Sequence, residues 1–141
     1  MKKILLFIVA VLVIIQFFRP DKNTSNEVSI NKITDVPPHI EQILKTSCYD
    51  CHSNNTVYPW YSNIAPVSWI IANHVNDGKK HVNFDEWKTY NDNQRKHNIH
   101  DLEEVIMENS MPMSSYTILH KNAVLSDKDK KDLLEWINTL K

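Results

Sequence analysis

Cys48-Tyr49-Asp50-Cys51-His52 is the stretch on which the fold of this chain turns. It contains the only two cysteines in 141 residues, and a histidine directly follows the second. On one helical turn, two thiols at this spacing lie on the same side and can reach the two vinyl groups of one haem. The next imidazole then swings under the iron. The motif therefore predicts one covalent haem c, held by thioethers at Cys48 and Cys51, with His52 as the proximal iron ligand. A thioredoxin-like redox pair would want a strand before the motif and alternating strands and helices after it; neither is visible. A structural zinc site would need a second ligand pair at matched spacing, and the remaining histidines are scattered. A plain disulfide between Cys48 and Cys51 would close too small a loop to constrain the unfolded chain much.

Upstream, Pro37-Pro38 opens a helical pattern with Ile40, Ile43, Leu44 and Ser47 on one face, leading straight into the motif. Residues 21–35 are rich in Asn, Ser, Thr and Lys, with only Val28, Ile30 and Ile33 scattered among them, which predicts a flexible tether. Further back, Met1-Lys2-Lys3 precedes a run over residues 4–18 that is apolar except for Gln16, and Arg19-Pro20 closes it. Such a run behind two lysines is an export signal. No small-x-small cleavage pattern follows, so residues 1–20 are expected to stay as a signal anchor crossing the membrane through residues 4–18, with a cleaved signal peptide as the alternative. The rest of the chain would then face the periplasm or exterior of the inner membrane. Haem c is attached after export, so the two readings agree.

Downstream, Tyr58-Pro59-Trp60-Tyr61 leads to a helical pattern from Pro66 through Val67, Ile70, Ile71 and Val75, which Gly78 is expected to end. A third pattern, over residues 91–109, aligns Ile99, Leu102 and Ile106, and the loop Ser110-Met111-Pro112-Met113-Ser114-Ser115-Tyr116 interrupts it. Pro112 pushes Met111 out of helical geometry. The last helix starts at Ser126, with Asp129 in its first turn, and continues through Leu133, Trp136, Ile137 and Leu140. Its narrow apolar stripe is expected to pair with that of residues 38–47, since neither helix is stable alone. With no alternating strand pattern, the expectation is an all-α fold with one core, the haem-binding domain covering residues 36–141.

The face of the iron opposite His52 usually takes Met or His. Met111, in the proline-restrained loop, is the leading candidate, with Met113 as the alternative, while Met107 is expected to fill a core gap. His74 and His120 stand in reserve; His39, His81, His97 and His100 rank below them. Tyr58, Trp60, Tyr61, Trp69, Trp87 and Tyr116 are candidates to pack on the porphyrin, or equally ordinary core aromatics. Lys79, Lys80 and the backbone near Asn83 are candidate partners for its propionates. Sixteen Lys and Arg against 17 Asp and Glu give no field that would draw a polyanion, so nucleic acid is not an expected partner. A single glycine argues against a phosphate-cradling loop.

Taken together, these residues resemble the haem-binding domain family of bacterial exported proteins, a cytochrome c-like group. The likeness lies in the N-terminal anchor, in Cys48-Tyr49-Asp50-Cys51-His52-Ser53, in the stretch from Tyr58-Pro59-Trp60-Tyr61 to Val67-Ser68-Trp69, and in His81-Val82-Asn83-Phe84-Asp85-Glu86-Trp87. Met111-Pro112-Met113, Tyr116, Leu119-His120, Leu125-Ser126 and Trp136 extend it. The resemblance covers about residues 36–141 and implies a small helical fold with haem bound through Cys48, Cys51 and His52. The expected function is single-electron transfer between redox partner proteins, a carrier rather than a catalyst; a haem-based sensor of small ligands is the alternative, and a peroxidase-like enzyme would need an open iron site.

Overall fold

The computed structural model describes residues 1–25 and 28–141. Among them there is no strand, only an isolated bridge between Thr24 and Asn55. The all-α expectation holds.

Helix α1 (Lys2–Ile14) is apolar on every side and has no buried residue. It gives way to a 3-10 turn, Ile15–Phe17. Its 13 residues rise about 20 Å, and among the described residues no helix is long and apolar enough to cross a membrane. This corrects the single transmembrane helix expected through residues 4–18. The reason lies at Gln16, whose Nε2 donates to the Ala65 carbonyl at 3.1 Å while its Oε1 accepts from the Ala65 amide at 3.0 Å. Trp69 Nε1 also donates to the Phe18 carbonyl at 2.6 Å. The end of the apolar run is thus committed to the domain.

The stretch expected to be a flexible tether is fastened at several described positions. The Asn23 amide donates to Tyr58 Oη at 2.8 Å, and its side-chain Nδ2 donates to the Ser53 carbonyl at 2.8 Å and to Thr56 Oγ1 at 2.9 Å. Ile33 is buried in the core, its amide bonded to the Phe84 carbonyl at 2.9 Å. The polar side chains here satisfy loop backbone in place of water. Asn26 and Glu27, part of the same expectation, lie outside the described residues.

Helix α2 (Pro38–Ser47) starts with proline in its first turn, where no backbone donor is lost. Cys48, at φ −126° and ψ −43°, breaks it, and α3 (Tyr49–His52) follows as a single turn. Helix α4 (Val67–His81) runs through Gly78 instead of ending there. Helix α5 (Asp92–Met107) opens with a reciprocal cap between Asn91 and Gln94, α6 (Ser114–Thr117) follows the methionine loop, and α7 (Asp127–Asn138) opens with the matching cap between Ser126 and Asp129. The core joins Ile40 and Leu44 of α2 to Leu133, Trp136 and Ile137 of α7, with Ile99 and Ile106 of α5 and Phe84 completing it. The expected pairing of the second and last helices is present. Each such side chain contributes about 1.5–3 kcal/mol by leaving water.

The correction at Gly78 has a physical cause. A Cβ at this position would lie 2.6 Å from the Cys51 carbonyl oxygen and 3.1 Å from Cys51 Cβ. The only glycine of the chain is therefore where α4 crosses the motif backbone to backbone.

Candidate haem site

In α3 the Cys48 carbonyl accepts from both the Cys51 amide at 3.1 Å and the His52 amide at 3.0 Å, which closes the motif into one turn. The imidazole of His52 is fixed from behind: Nδ1 donates to the Val82 carbonyl at 3.0 Å. That bond selects the tautomer in which Nε2 keeps its lone pair, the form a metal ligand needs. Burial lowers the His52 pKa against the opposing pull of the Val82 and Gly78 carbonyls, so the ring is neutral. Both thiols are free. Burial, with the Cys51 charge adding to it, pushes Cys48 up to about 12; burial and the Asp50 carboxylate push Cys51 up to about 11. A redox-active pair wants a lowered thiol pKa, so the pocket argues against the thioredoxin-like reading.

The motif forms one wall of a cavity of about 520 Å³, which also reaches Met111 and Met113. That volume falls within the range of ligand sites, about 300–1,000 Å³. Leu44, Leu102, Val105, Ile106, Leu133 and Trp136 make most of its lining apolar. One polar side chain stands out. Asn98 is 6% exposed and lines the cavity, and its Nδ2 has no hydrogen-bond partner among the described residues. An unpaired buried donor costs about 1–3 kcal/mol, so the site is built for a group that brings an acceptor. Two thiols, a neutral imidazole, apolar walls and an orphan donor fit a haem, an apolar disc carrying two carboxylates.

The structure brings Cys48, Cys51, His52, Met111 and Met113 to this one cavity. His74 and His81 also line it. His120 is not on the lining of this cavity: Tyr61 Oη lies 3.3 Å from its Nε2, the Tyr116 carbonyl 3.1 Å from its Nδ1, and its ring stacks on Tyr116 at 4.1 Å. His97 and His100 sit beside Asp101 on the outer side of α5, and His39 is exposed. Of the six candidate aromatics, Tyr116 lines the cavity. Trp87 stacks on Phe84 in the core, Tyr58 and Trp69 bind the N-terminal segment, and Trp60 is exposed. Lys79 donates to Asn23 Oδ1 at 2.7 Å, Lys80 pairs with Asp77 at 2.9 Å, and the Asn83 backbone amide donates to Tyr90 Oη at 2.9 Å, so these donors are committed elsewhere. Met107 is exposed rather than a core filler. Asn98 was missed by the sequence reading, although its place four residues before Leu102, on the apolar stripe of α5, was a signal.

Neither a curated protein nor a solved structure matches the chain at a significant level. The sequence profile of one family does, and it runs over residues 10–139, taking in the motif, the crossing at Gly78, the methionine loop and α7. This chain therefore belongs to the haem-binding domain family.

Proposed function

We propose that the chain carries one haem c, bonded through Cys48 and Cys51 and ligated by His52, and passes single electrons between redox partner proteins on the outer side of the inner membrane, with residues 4–18 as its membrane attachment. The observation that carries this reading is the His52–Val82 hydrogen bond, which leaves Nε2 directed by a fixed tautomer in a cavity shared with both thiols. When bound, the haem supplies one-electron chemistry between ferrous and ferric iron. His52 Nε2 and the thioether of Met111, with Met113 as the alternative, would hold the iron, and Cys48 and Cys51 the porphyrin. Leu102, Val105 and Trp136 exclude water. Two residues able to ligate iron would suit a carrier better than a catalyst.

A second reading, a sensor of small ligands, draws on Met111 being 37% exposed, since a loosely held thioether yields to a competing ligand. One preparation separates the two. The protein is made with haem-maturation machinery, its mass is measured, a ferric spectrum is recorded, and reduced spectra are taken with and without carbon monoxide. Electron transfer predicts the mass of polypeptide plus one haem, a far-red sulfur-to-iron band in the ferric state, and no carbon monoxide uptake. Prompt uptake would overturn it in favour of the sensor, and bare polypeptide mass would remove covalent attachment altogether.

A further inference from the structure

Helix α5 aligns Asn98, Leu102 and Val105 on one face, at spacings of four and three residues, and all three line the cavity. Apolar side chains at the latter two positions are what a wall requires. An asparagine at the first, 6% exposed and with its Nδ2 unpartnered among the described residues, is not. Packing alone would favour leucine there, and buried amides are paired as a rule. The amide nitrogen only donates, so what it lacks is an acceptor.

The other polar groups of the cavity narrow the choice of acceptor. Asp50, Asp77, Asp101 and Glu104 line it and would repel an anion. The Tyr116 hydroxyl already donates to Asp50, and His52 Nδ1 is given to Val82. Lys80 is paired with Asp77 and Lys79 with Asn23. Ser47, His74 and His81 are donors on the lining but sit at partly or fully exposed positions. Among the described residues the buried donors that remain are Asn98 and the indole N–H of Trp136, and of the two the Asn98 nitrogen is the one fully enclosed without a partner. On a haem, the pyrrole nitrogens bind iron and thioether sulfur accepts weakly, which leaves the propionate carboxylates as strong acceptors.

We propose that Asn98 is the buried anchor for one haem propionate, donating Nδ2–H to a carboxylate oxygen and so fixing how the ring is turned in its cavity. The inference rests on the haem reading above. Asn98 is a positioning residue and takes no part in ligating the iron.

The test uses the full chain with haem attachment verified by mass, as the unmutated protein, as Asn98→Leu and as Asn98→Asp. In resonance Raman spectra the propionate bending band is expected to move to lower frequency in Asn98→Leu and further in Asn98→Asp, with the porphyrin skeletal bands unmoved. In the unmutated, reduced protein, NMR is expected to give a nuclear Overhauser contact between the Asn98 side-chain amide and a propionate methylene. That measurement decides the matter even where a variant fails to accumulate. An unmoved bending band in both variants, or an Asn98 amide whose contacts are all with protein, overturns the assignment while attached haem still stands. A polypeptide without haem would instead sink the underlying reading and this one with it.

Discussion

The hydroxyl of Tyr116 donates to Oδ2 of Asp50 at 2.7 Å, across 66 residues of sequence. Asp50 lies between the two cysteines, and Tyr116 lies three residues beyond Met113, so this bond ties the methionine loop to the attachment motif. Burial, then the bond and charge of Asp50, push the tyrosine pKa up, which keeps the donor protonated across the physiological range.

Tyr116→Phe removes the tie and leaves the ring. A hydrogen bond to a charged acceptor contributes about 1.5–3 kcal/mol, so urea unfolding should show a loss of that order. The far-red sulfur-to-iron band should weaken and carbon monoxide should enter faster than in the unmutated protein. Unchanged spectra together with full stability would show that the loop is held by other contacts.

The methionines separate in single variants. Met111→Ala should abolish the far-red band and open the iron to carbon monoxide, whereas Met113→Ala should keep the band. A band that survives both changes would place the ligand elsewhere, with His74, also on the cavity wall, as the next residue to replace.

Gly78→Ala sets helix propensity against space. Alanine favours the helix by about 1 kcal/mol, but its Cβ would meet the Cys51 carbonyl oxygen at 2.6 Å. That oxygen is backbone and cannot rotate away, and overpacking of this kind costs about 1–3 kcal/mol. The expected result is a lower thermal midpoint and a smaller fraction of chains carrying haem, seen as mixed masses. A stabilised, fully loaded variant would show that α4 and α3 separate without cost.

What could be read from sequence follows contact range. The apolar spacing of Ile40 and Leu44, and of Leu133, Trp136 and Ile137, reports a local period, and the core assembled as expected. Cys48, Cys51 and His52 carry their geometry within five residues. Gly78 misled because a helix end and a close crossing both ask for a missing Cβ, and only the distant Cys51 tells them apart. Asn23 and Gln16 misled for the same reason. Composition around them describes a tether and a membrane span, but their partners Ser53, Thr56 and Ala65 lie 30, 33 and 49 residues away.

Glu41 gives a pH prediction. Its Oε1 meets Lys32 at 2.8 Å and its Oε2 accepts from Tyr49 at 2.8 Å, which fastens α2 to the segment before it and to the motif. Burial alone would raise its pKa; the bonds from Lys32 and Tyr49 outweigh that and lower it. A carboxyl lowered on folding stabilises above its unfolded value of about 4.3 and loses that contribution as pH falls through the folded value. Glu41→Gln should therefore cost about 1 kcal/mol near pH 7 in urea unfolding, with the difference shrinking towards zero below about pH 4. A difference that stays constant across that interval would assign the cost to packing.

Asn23 tests whether the segment before the domain is part of it. Its Nδ2 serves the Ser53 carbonyl and Thr56 Oγ1, and its Oδ1 accepts from Lys79, joining the chain after α1 to the loop behind the motif and to α4. A free tether would make Asn23→Ala silent. The bonds observed predict a loss of about 1–3 kcal/mol instead, with faster amide exchange confined to residues 53–57 and an unchanged haem spectrum. The confinement matters, because His52 is held separately by Val82 and should keep its place when the loop loosens.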